Sequence, residues 1–418
     1  MSAALPLTGD QAEALARAHG TPFYLYDLDR ALAQLAELRA GLPRCVDLLY
    51  CVKANSNRRV IEAFRPAVWG VDLSSAGELD MALACGFAAG HMSFAGPGKT
   101  ADELDRAARA GLGILSLESR AELARAAAAA RAHGRRQDVT LRINPADMPR
   151  EFAMRMGGGP SQFGVAEEGA PAAVSAILAE PAVRLIGLHI YAGTQCLDER
   201  ALVDNMRGSL AIAARLADAH DLAPEVVNLG GGFGVAYFSG QEPLDVRSLA
   251  RALSVALCEW RGLRPRFERT RFLFELGRFL IGPFGAYVAR VTEVKETRGK
   301  RFAILDGGMH HCFPATGNFG QLVKKNYPIE NLTRSGGGAP EEAQELCGPL
   351  CTPMDSMGRG VRIARAEPGD LIGFFACGAY SFAASPLLFL GHATPLELVK
   401  LGGRIAVARE RMPATRFW

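Results

Sequence analysis

The sequence lacks a long apolar run, because none reaches the roughly 18 residues that a membrane-spanning helix requires. Its first five residues, Met1–Leu5, have no basic stretch before an apolar one, so we do not expect a secretory signal. An excess of one charge is also lacking, since 47 basic and 44 acidic residues give a net charge of +3. That balance argues against nucleic acid or an anionic membrane as a partner.

Cysteine is sparse: there are nine, spread along the chain with no Cys-x-x-Cys pair. The odd number and wide spacing argue against a disulfide framework or a zinc module, and they predict a cytoplasmic protein. Glycine, by contrast, is abundant, with 46 residues. Because clustered glycines often mark places where the backbone approaches something closely, several of them are candidates for a ligand site.

The length of 418 residues predicts two domains, because an α/β barrel alone uses about 200–250 residues. A hydrophobic fraction of 49% indicates a globular chain. Eight apolar or β-branched runs are each followed by a helix-like stretch: Asp47–Val52, Trp69–Leu73, Met92–Phe94, Gly113–Leu117, Val139–Asn144, Leu185–Tyr191, Val226–Gly230 and Arg271–Glu275. Eight such units predict an α/β fold with a (β/α)8 TIM-type barrel, and a doubly wound open sheet is the alternative.

The alternation of apolar runs with helix-like stretches ends near Phe284, and the apolar runs beyond it follow one another without long helices. These runs are Tyr287–Lys295, Arg301–Leu305, Val361–Ala364, Leu371–Ala376 and Arg404–Ala408. They predict an all-β C-terminal domain, with a loop over Thr333–Glu342 that includes Gly336–Gly338. Phe23–Tyr26 is predicted to be an N-terminal strand of the same sheet. The predicted division is a segment 1–30 packing with the β-domain, a barrel 31–283 and a β-domain 284–418.

Ionisable side chains stand where the predicted barrel strands end. They are Lys53, Asp72, Arg142, His189, Glu275 and Arg278, accompanied by Tyr191 and the glycines Gly230, Gly231 and Gly232. The C-terminal ends of barrel strands carry the active site in this fold. The pattern therefore predicts a site at this end of the barrel.

Three of these features each allow two interpretations. Lys53 follows an apolar strand; buried there it would have a lowered pKa and could form a Schiff base, or it could reach to water. The glycines after the seventh strand could offer backbone N–H groups to a phosphate, or form a plain turn. Arg278 could clamp that phosphate or form a surface ion pair.

Lys53 lies in the motif Tyr50-Cys51-Val52-Lys53-Ala54-Asn55, which resembles the Tyr-Ala-Val-Lys-Ala-Asn motif of the type III pyridoxal-phosphate decarboxylases. This family includes the diaminopimelate and ornithine decarboxylases and is distantly similar to alanine racemase. The likeness continues in the family's order through Asp72–Glu78, Ser161–Gly164, Leu188–Gln195, Gly230–Gly234, Glu275–Arg278, Asp306–Met309, Gly348–Cys351 and Gly378–Tyr380.

The resemblance implies an amino-acid decarboxylase that uses pyridoxal 5'-phosphate. Lys53 would hold the cofactor as a Schiff base, and Glu275 would face the pyridine nitrogen, where a carboxylate strengthens the ring as an electron sink. Asp72 and Arg142 would lie near the Schiff base and the ring oxygen. The phosphate would be bound by, or packed beside, Thr194, Gly230, Gly231, Gly232, Gly277, Arg278 and Tyr380.

Cys351 has a separate role by this resemblance. It would protonate the α-carbon after decarboxylation and reach in from the second subunit of a homodimer. As a residue type alone, a cysteine is more often a small buried apolar group.

The chain departs from the family pattern around the cofactor ring. Tyr191 stands where the family has a histidine that stacks on the ring, and His189 lies two residues earlier. Tyrosine can also stack on the ring, so we expect binding to survive. His189 is either a substrate-binding residue or a histidine of the barrel core.

A second departure concerns the substrate. Relatives that bind the distal amine of their substrate have an acidic residue after the cysteine, whereas Thr352 follows Cys351 here. This departure argues against a plain diamino acid as the substrate, unless Asp355 or another residue supplies the negative charge. The segments His310–Gly320 and Ser385–His392 resemble a biosynthetic branch that acts on modified or carrier-linked amino acids. The pair His310 and His311 is not expected to bind a metal, because adjacent side chains of a strand point to opposite faces.

Two other functions are alternatives to an amino-acid decarboxylase. An amino-acid racemase of this fold has arginine at the pyridine nitrogen, and Glu275 argues against it. A non-catalytic partner-binding protein, similar to the antizyme inhibitors, tends to lose the lysine, the phosphate-binding residues or the cysteine, and all of them are present here.

Overall fold

The computed structural model describes residues 7–319, 324–335 and 338–417. These residues form two compact units. One unit contains the described residues among 7–32, 236–242 and 278–417, and the other contains 33–235 and 243–277. Within the described ranges, no helix is both long and apolar enough to cross a membrane.

The second unit contains a closed barrel of parallel strands. In chain order, its eight strands are Val46–Cys51, Gly70–Leu73, Met92–Phe94, Ile114–Leu117, Gln137–Asn144, Val183–Ile190, Val226–Asn228 and Arg271–Leu276. Each strand pairs with its neighbours in this order, and the eighth pairs with the first, Phe272 lying opposite Val46. The (β/α)8 barrel is therefore confirmed, and the open doubly wound sheet is wrong because this sheet has no edges.

The apolar runs of the sequence became barrel strands because both of their faces are covered. Every residue of Val46–Cys51 is buried, as is every residue of Arg271–Leu276 except the first. Parallel strands buried on both sides consist of continuous apolar residues instead of alternating ones. Leu49, Ile114 and Leu273 meet in one cluster of this core.

Helices follow the strands, and hydroxyl side chains cap several of them. The helices are Gly9–His19, Leu28–Gly41, Arg58–Phe64, Ala76–Ala84, Ala101–Ala110, Arg120–Ala132, Ala170–Leu178, Glu199–Ala219, Val246–Gly262 and Arg278–Ile281. Ser75 accepts a hydrogen bond from the Glu78 backbone as the capping pattern predicts, but the Glu78 carboxylate accepts from Ser74 instead of Ser75. This carboxylate thus ties the strand end to the helix that follows.

The first unit contains an antiparallel and parallel sheet. Its strands are Phe23–Asp27, Gly285–Thr297, Lys300–Leu305, Ile329–Asn331, Glu341–Cys347, Ser356–Ala364, Leu371–Phe375, Leu396–Leu401 and Arg404–Arg409. Phe23–Asp27 pairs with Gly285–Thr297 and with Leu396–Leu401, so the predicted N-terminal strand of this sheet is confirmed. The predicted loop over Thr333–Glu342 is wrong at its end, where a strand begins at Glu341; Gly336 and Gly337 lie outside the described residues.

His310 and His311 do not lie in a strand, so the argument that they face opposite sides is wrong. They occupy a turn, and their ring centroids are 3.7 Å apart. His311 is engaged through both ring nitrogens, which lie 3.2 Å from the Tyr287 hydroxyl and 2.8 Å from the Ala393 carbonyl oxygen. The pair therefore belongs to the interior of the sheet unit.

Candidate active site

Lys53 and Asp72 meet at the C-terminal end of the barrel. The first strand ends at Cys51, and a 3-10 turn over Val52–Ala54 carries Lys53 outward. Its Nζ lies 2.8 Å from Oδ2 of Asp72, which is fully buried, while the Lys53 side chain is 40% exposed. Of the two interpretations of Lys53, the exposure favours the amine that reaches to water: the turn sends its two neighbours inward and leaves the amine accessible beside a carboxylate.

The Asp72 carboxylate is an unusual group for a barrel interior. Burial and the nearby Glu275 charge raise its pKa, and the Lys53 ammonium opposes them. Its second oxygen, Oδ1, is buried without a hydrogen-bond partner in the described part of the chain. A buried carboxylate in this state fits a place beside a group that carries a positive charge.

His189 lies inside the barrel. Only 1% of the residue is exposed, which favours the core position over the substrate-binding role. Its Nδ1 lies 2.9 Å from the Ser116 hydroxyl, and its Nε2 lies 3.7 Å from the Glu275 carboxylate. Burial, assisted by the Arg142 charge, lowers the pKa of His189 to about 3, so the ring is neutral near pH 7.

This lowered pKa predicts an acid-dependent stability. An unfolded histidine has a pKa of about 6.5, so the unfolded chain binds more protons than the folded one below that pH. Stability is therefore lost as the pH falls from about 6.5 towards 3, and His189→Gln should flatten this dependence. Urea unfolding at several pH values measures it. The exposed His19→Gln variant should keep the parental slope, and an equally steep slope in His189→Gln would contradict the expectation.

Glu275 is buried and is the last residue but one of the eighth strand. Its Oε1 accepts a hydrogen bond of 2.5 Å from the Asn228 side chain. Its backbone N–H donates to the carbonyl of Gly230 at 2.7 Å. The structure thus brings the predicted carboxylate and the predicted glycine loop together.

Arg142 forms a buried ion pair that the sequence did not predict. Its Nη1 lies 2.8 Å from Oε1 of Glu118, and both side chains are almost fully buried. The other oxygen of Glu118 accepts from the Gly164 backbone at 2.8 Å. Arg142 also lies 5.9 Å from the ring centroid of Tyr191. Glu118 therefore fixes Arg142 beside the tyrosine, and its only sequence signal is its position just after the fourth strand.

The three glycines after the seventh strand are needed for packing. A Cβ at Gly230 would lie 2.3 Å from the Tyr191 ring, and one at Gly231 would lie 2.1 Å from the Glu275 carbonyl oxygen. Gly232 has a φ of +93°, and its Cβ would lie 2.5 Å from the Gly193 carbonyl oxygen. Thr194 follows Gly193 in a two-residue strand. These glycines thus draw the loop against the barrel, whatever it binds.

Gly277 plays the same part beside Lys53. A Cβ there would lie 2.8 Å from that of Ala54 and 3.0 Å from that of Cys51, so glycine lets the eighth strand end close to the lysine turn.

In the other unit, Arg278 donates to the Tyr237 hydroxyl at 3.2 Å and lies 4.6 Å from the Tyr380 ring centroid. Tyr380 has a φ of +56°, which residues other than glycine rarely adopt and which is often found at functional sites.

Arg278 has no carboxylate partner among the described residues, and its Nε is buried without a hydrogen bond. A guanidinium in this state is a suitable partner for an anion such as phosphate. Tyr237, which approaches it, carries no motif of its own, and only proximity in the fold identifies it.

The loop that carries Cys351 is shaped by Asp355. Asp355 is buried and accepts hydrogen bonds from the backbones of Met309 at 2.6 Å and Leu350 at 2.9 Å. Both oxygens thus hold the loop, which argues against its predicted role as a charge for the substrate. Cys351 itself is exposed, and Thr352 is half-buried with a hydroxyl that accepts from the Met354 backbone.

Comparison with known proteins assigns this arrangement to a family. Residues 28–282 match the family model for the pyridoxal binding domain of pyridoxal-dependent decarboxylases. The chain belongs to this family. As the family's name implies, the decarboxylase uses pyridoxal 5'-phosphate as cofactor and removes the carboxylate of an amino acid.

Two curated relatives and one solved structure illustrate the likeness. The decarboxylase is 37% identical to the L-glutamyl-[BtrI acyl-carrier protein] decarboxylase of Niallia circulans, over 96% of this chain and 94% of the relative. It is 31% identical to the 2-[(L-alanin-3-ylcarbamoyl)methyl]-2-hydroxybutanedioate decarboxylase of Staphylococcus aureus, over 91% and 94%. It superimposes on the diaminopimelate decarboxylase of Helicobacter pylori complexed with L-lysine with a TM-score of 0.85 and 26% identity, covering 97% and 98% of the two chains.

Proposed function

We propose that this decarboxylase acts on an amino acid whose far end carries no free ammonium group and is attached to a carrier protein. The observation that carries the proposal is the loop after Cys351. Thr352 is neutral there, and both carboxylate oxygens of Asp355 accept hydrogen bonds from backbone N–H groups. An ammonium group that loses its water needs an anionic partner, and the carboxylate of this loop is buried and already bonded to two backbone N–H groups. The carrier-linked substrate named for the Niallia circulans relative supports the same choice.

The residues around Lys53 fit the cofactor, and we place it there. The accessible Lys53 amine would bind it covalently, and the Asp72 carboxylate would hold the amine in place at 2.8 Å. Glu275 would face the pyridine nitrogen, and Tyr191 and Arg142 would contact the ring. Once bound, the cofactor withdraws electrons from the carbon that loses its carboxylate. These side chains would bind and orient the cofactor and stabilise its charge. The buried Oδ1 of Asp72, which has no hydrogen-bond partner among the described residues, supports this placement.

The phosphate would lie beside the glycine loop that follows the seventh barrel strand. Gly231 and Gly232 would contribute backbone donors beside Gly230, whose own N–H donates to Asn228, and Thr194 would contribute a hydroxyl. Arg278 and Tyr380, in the sheet unit, keep their expected roles as phosphate-binding residues, as Gly277 keeps its role in the barrel unit. The buried Nε of Arg278 supports this assignment, because a guanidinium is rarely left without an acceptor.

Cys351 would deliver the proton that replaces the lost carboxylate. Its thiol is exposed at a loop that Asp355 makes rigid, as suits a group that reaches into the active site of a second copy. The proposal therefore includes a homodimer in the cytoplasm. It excludes the racemase alternative by the carboxylate of Glu275, and it needs no nucleic acid or membrane partner.

A panel of substrates tests the choice of amino acid. We expect carbon dioxide release to be at least about tenfold faster, in kcat/KM, with L-glutamate attached to an acyl carrier protein than with free diaminopimelate, ornithine or lysine, because about 1.4 kcal/mol of lost ion pairing suffices for that ratio. Mass spectrometry of the carrier detects the product directly.

A variant of the loop after Cys351 provides the control for this result. Thr352→Glu restores an acidic residue after Cys351, and it should raise the turnover of free diamino acids relative to the parent. Faster turnover of a free diamino acid by the parent would contradict the carrier-linked substrate. Change of stereochemistry without gas release would identify a racemase.

A further inference from the structure

Asn228 connects two parts of the candidate active site. It is the last residue of the seventh barrel strand and is only 1% exposed. Its Nδ2 donates to Oε1 of Glu275 at 2.5 Å, and its Oδ1 accepts from the backbone N–H of Gly230 at 2.9 Å. The two ends of one amide therefore bind the carboxylate of the eighth strand and the first glycine of the loop.

The Asn228 amide fixes the orientation of the Glu275 carboxylate. Asn228 makes the one side-chain hydrogen bond to that carboxylate found in the described part of the chain. The other oxygen, Oε2, lies 3.7 Å from Nε2 of His189, beyond hydrogen-bond distance. An amide does not titrate, so its donor and acceptor remain the same at every working pH.

We infer that Asn228 is a positioning residue, which aims the Glu275 carboxylate at the pyridine nitrogen and holds Gly230 in register for the phosphate. This inference rests on the proposed placement of the cofactor. Both ends of the cofactor would then depend on one side chain that contacts neither. Removing it frees the carboxylate to rotate and leaves the Gly230 N–H without its acceptor, so the loss acts at two places.

Three variants separate these effects. Asn228→Ala removes both hydrogen bonds, and Asn228→Asp keeps the acceptor for Gly230 but donates to Glu275 only when protonated. Asn205→Ala is the matched control, since Asn205 is also buried in the barrel unit but lies on the helix Glu199–Ala219. Cofactor affinity is measured by equilibrium dialysis and the absorbance of the bound cofactor, and folding by thermal unfolding without cofactor.

We expect Asn228→Ala to weaken cofactor binding by about 10- to 100-fold, the usual effect of losing a hydrogen bond to a charged group. Asn228→Asp should bind well at acid pH and progressively less well as the pH rises. The titratable groups that face the Glu275 carboxylate are Asp72, Cys51, Tyr191 and His189, and all are unchanged in the variant. A purely structural role would not produce this pH dependence.

A double-mutant cycle with Glu275→Gln completes the test. If Asn228 acts through Glu275, adding Asn228→Ala to Glu275→Gln should lower kcat much less than it does alone. Independent, multiplying losses would overturn the inference, as would a loss of affinity no greater than in Asn205→Ala. The proposed function itself fails if Lys53→Ala keeps turnover. If Lys53→Ala is inactive while Asn228→Ala is normal, only the role of Asn228 is rejected.

Discussion

Replacing Lys53 by alanine should reduce decarboxylation by at least about 1,000-fold, because removing the group that forms the covalent bond typically costs this much or more. The amine is accessible beside Asp72, and no other lysine is found in hydrogen-bond contact with this carboxylate in the described residues. Borohydride reduction followed by peptide mapping should find the cofactor on Lys53 in the parent and on no peptide of the variant. Turnover is measured as carbon dioxide release.

Two further variants distinguish the amine from its charge. Lys53→Arg keeps a cation that can pair with Asp72 but cannot form the covalent bond, so it should be as inactive as Lys53→Ala. Lys300→Ala removes an exposed lysine paired with Glu345 in the other unit and should leave turnover unchanged. Full activity in Lys53→Arg would show that only the charge matters and would overturn the assignment.

Arg278→Met should weaken cofactor binding by at least about 30-fold. Its guanidinium has a tyrosine hydroxyl at 3.2 Å and no carboxylate among the described partners, so the phosphate would be its main counter-ion. Truncating one partner of a desolvated charge pair costs about 2–5 kcal/mol, of which we use the lower end because Arg278 is half-buried. Equilibrium dialysis gives the dissociation constant, and excess cofactor should restore much of kcat.

The protein without cofactor provides the control for this prediction. Arg278→Met should not lower its Tm, because the substitution removes a charge that has no protein counter-ion. Arg290→Met, in the same unit, removes a guanidinium that donates to the Gly369 carbonyl, and should leave cofactor affinity at the parental value. Unchanged affinity in Arg278→Met would place the phosphate elsewhere.

The barrel could be predicted because parallel strands buried on both faces leave continuous apolar runs in the sequence. The chain positions of Lys53, Asp72 and Glu275 followed from the same rule, since catalytic groups gather at strand ends. The strand Glu341–Cys347 was missed because its polar residues alternate with buried ones at a sheet surface, and such a stretch resembles a loop.

The side-chain partners could not be predicted, because they depend on distances between segments far apart in the chain. Asn228 and Glu275 are 47 residues apart, and Arg142 and Glu118 are 24 apart. The exposure of Lys53 depends on the direction in which the short turn Val52–Ala54 points its side chain. Residue types alone do not determine that direction. The contacts of Asp355 could not be predicted, because the sequence does not distinguish an aspartate that binds backbone N–H groups from one that binds a ligand.

The place of the strand Phe23–Asp27 has a consequence for synthesis on the ribosome. This strand emerges early, yet its neighbours Gly285–Thr297 and Leu396–Leu401 are made at the start and near the end of the last third of the chain. The barrel strands between them are complete before either neighbour exists. One of the first strands to be translated is therefore among the last to be paired, and the sheet can close only after the ribosome has almost finished.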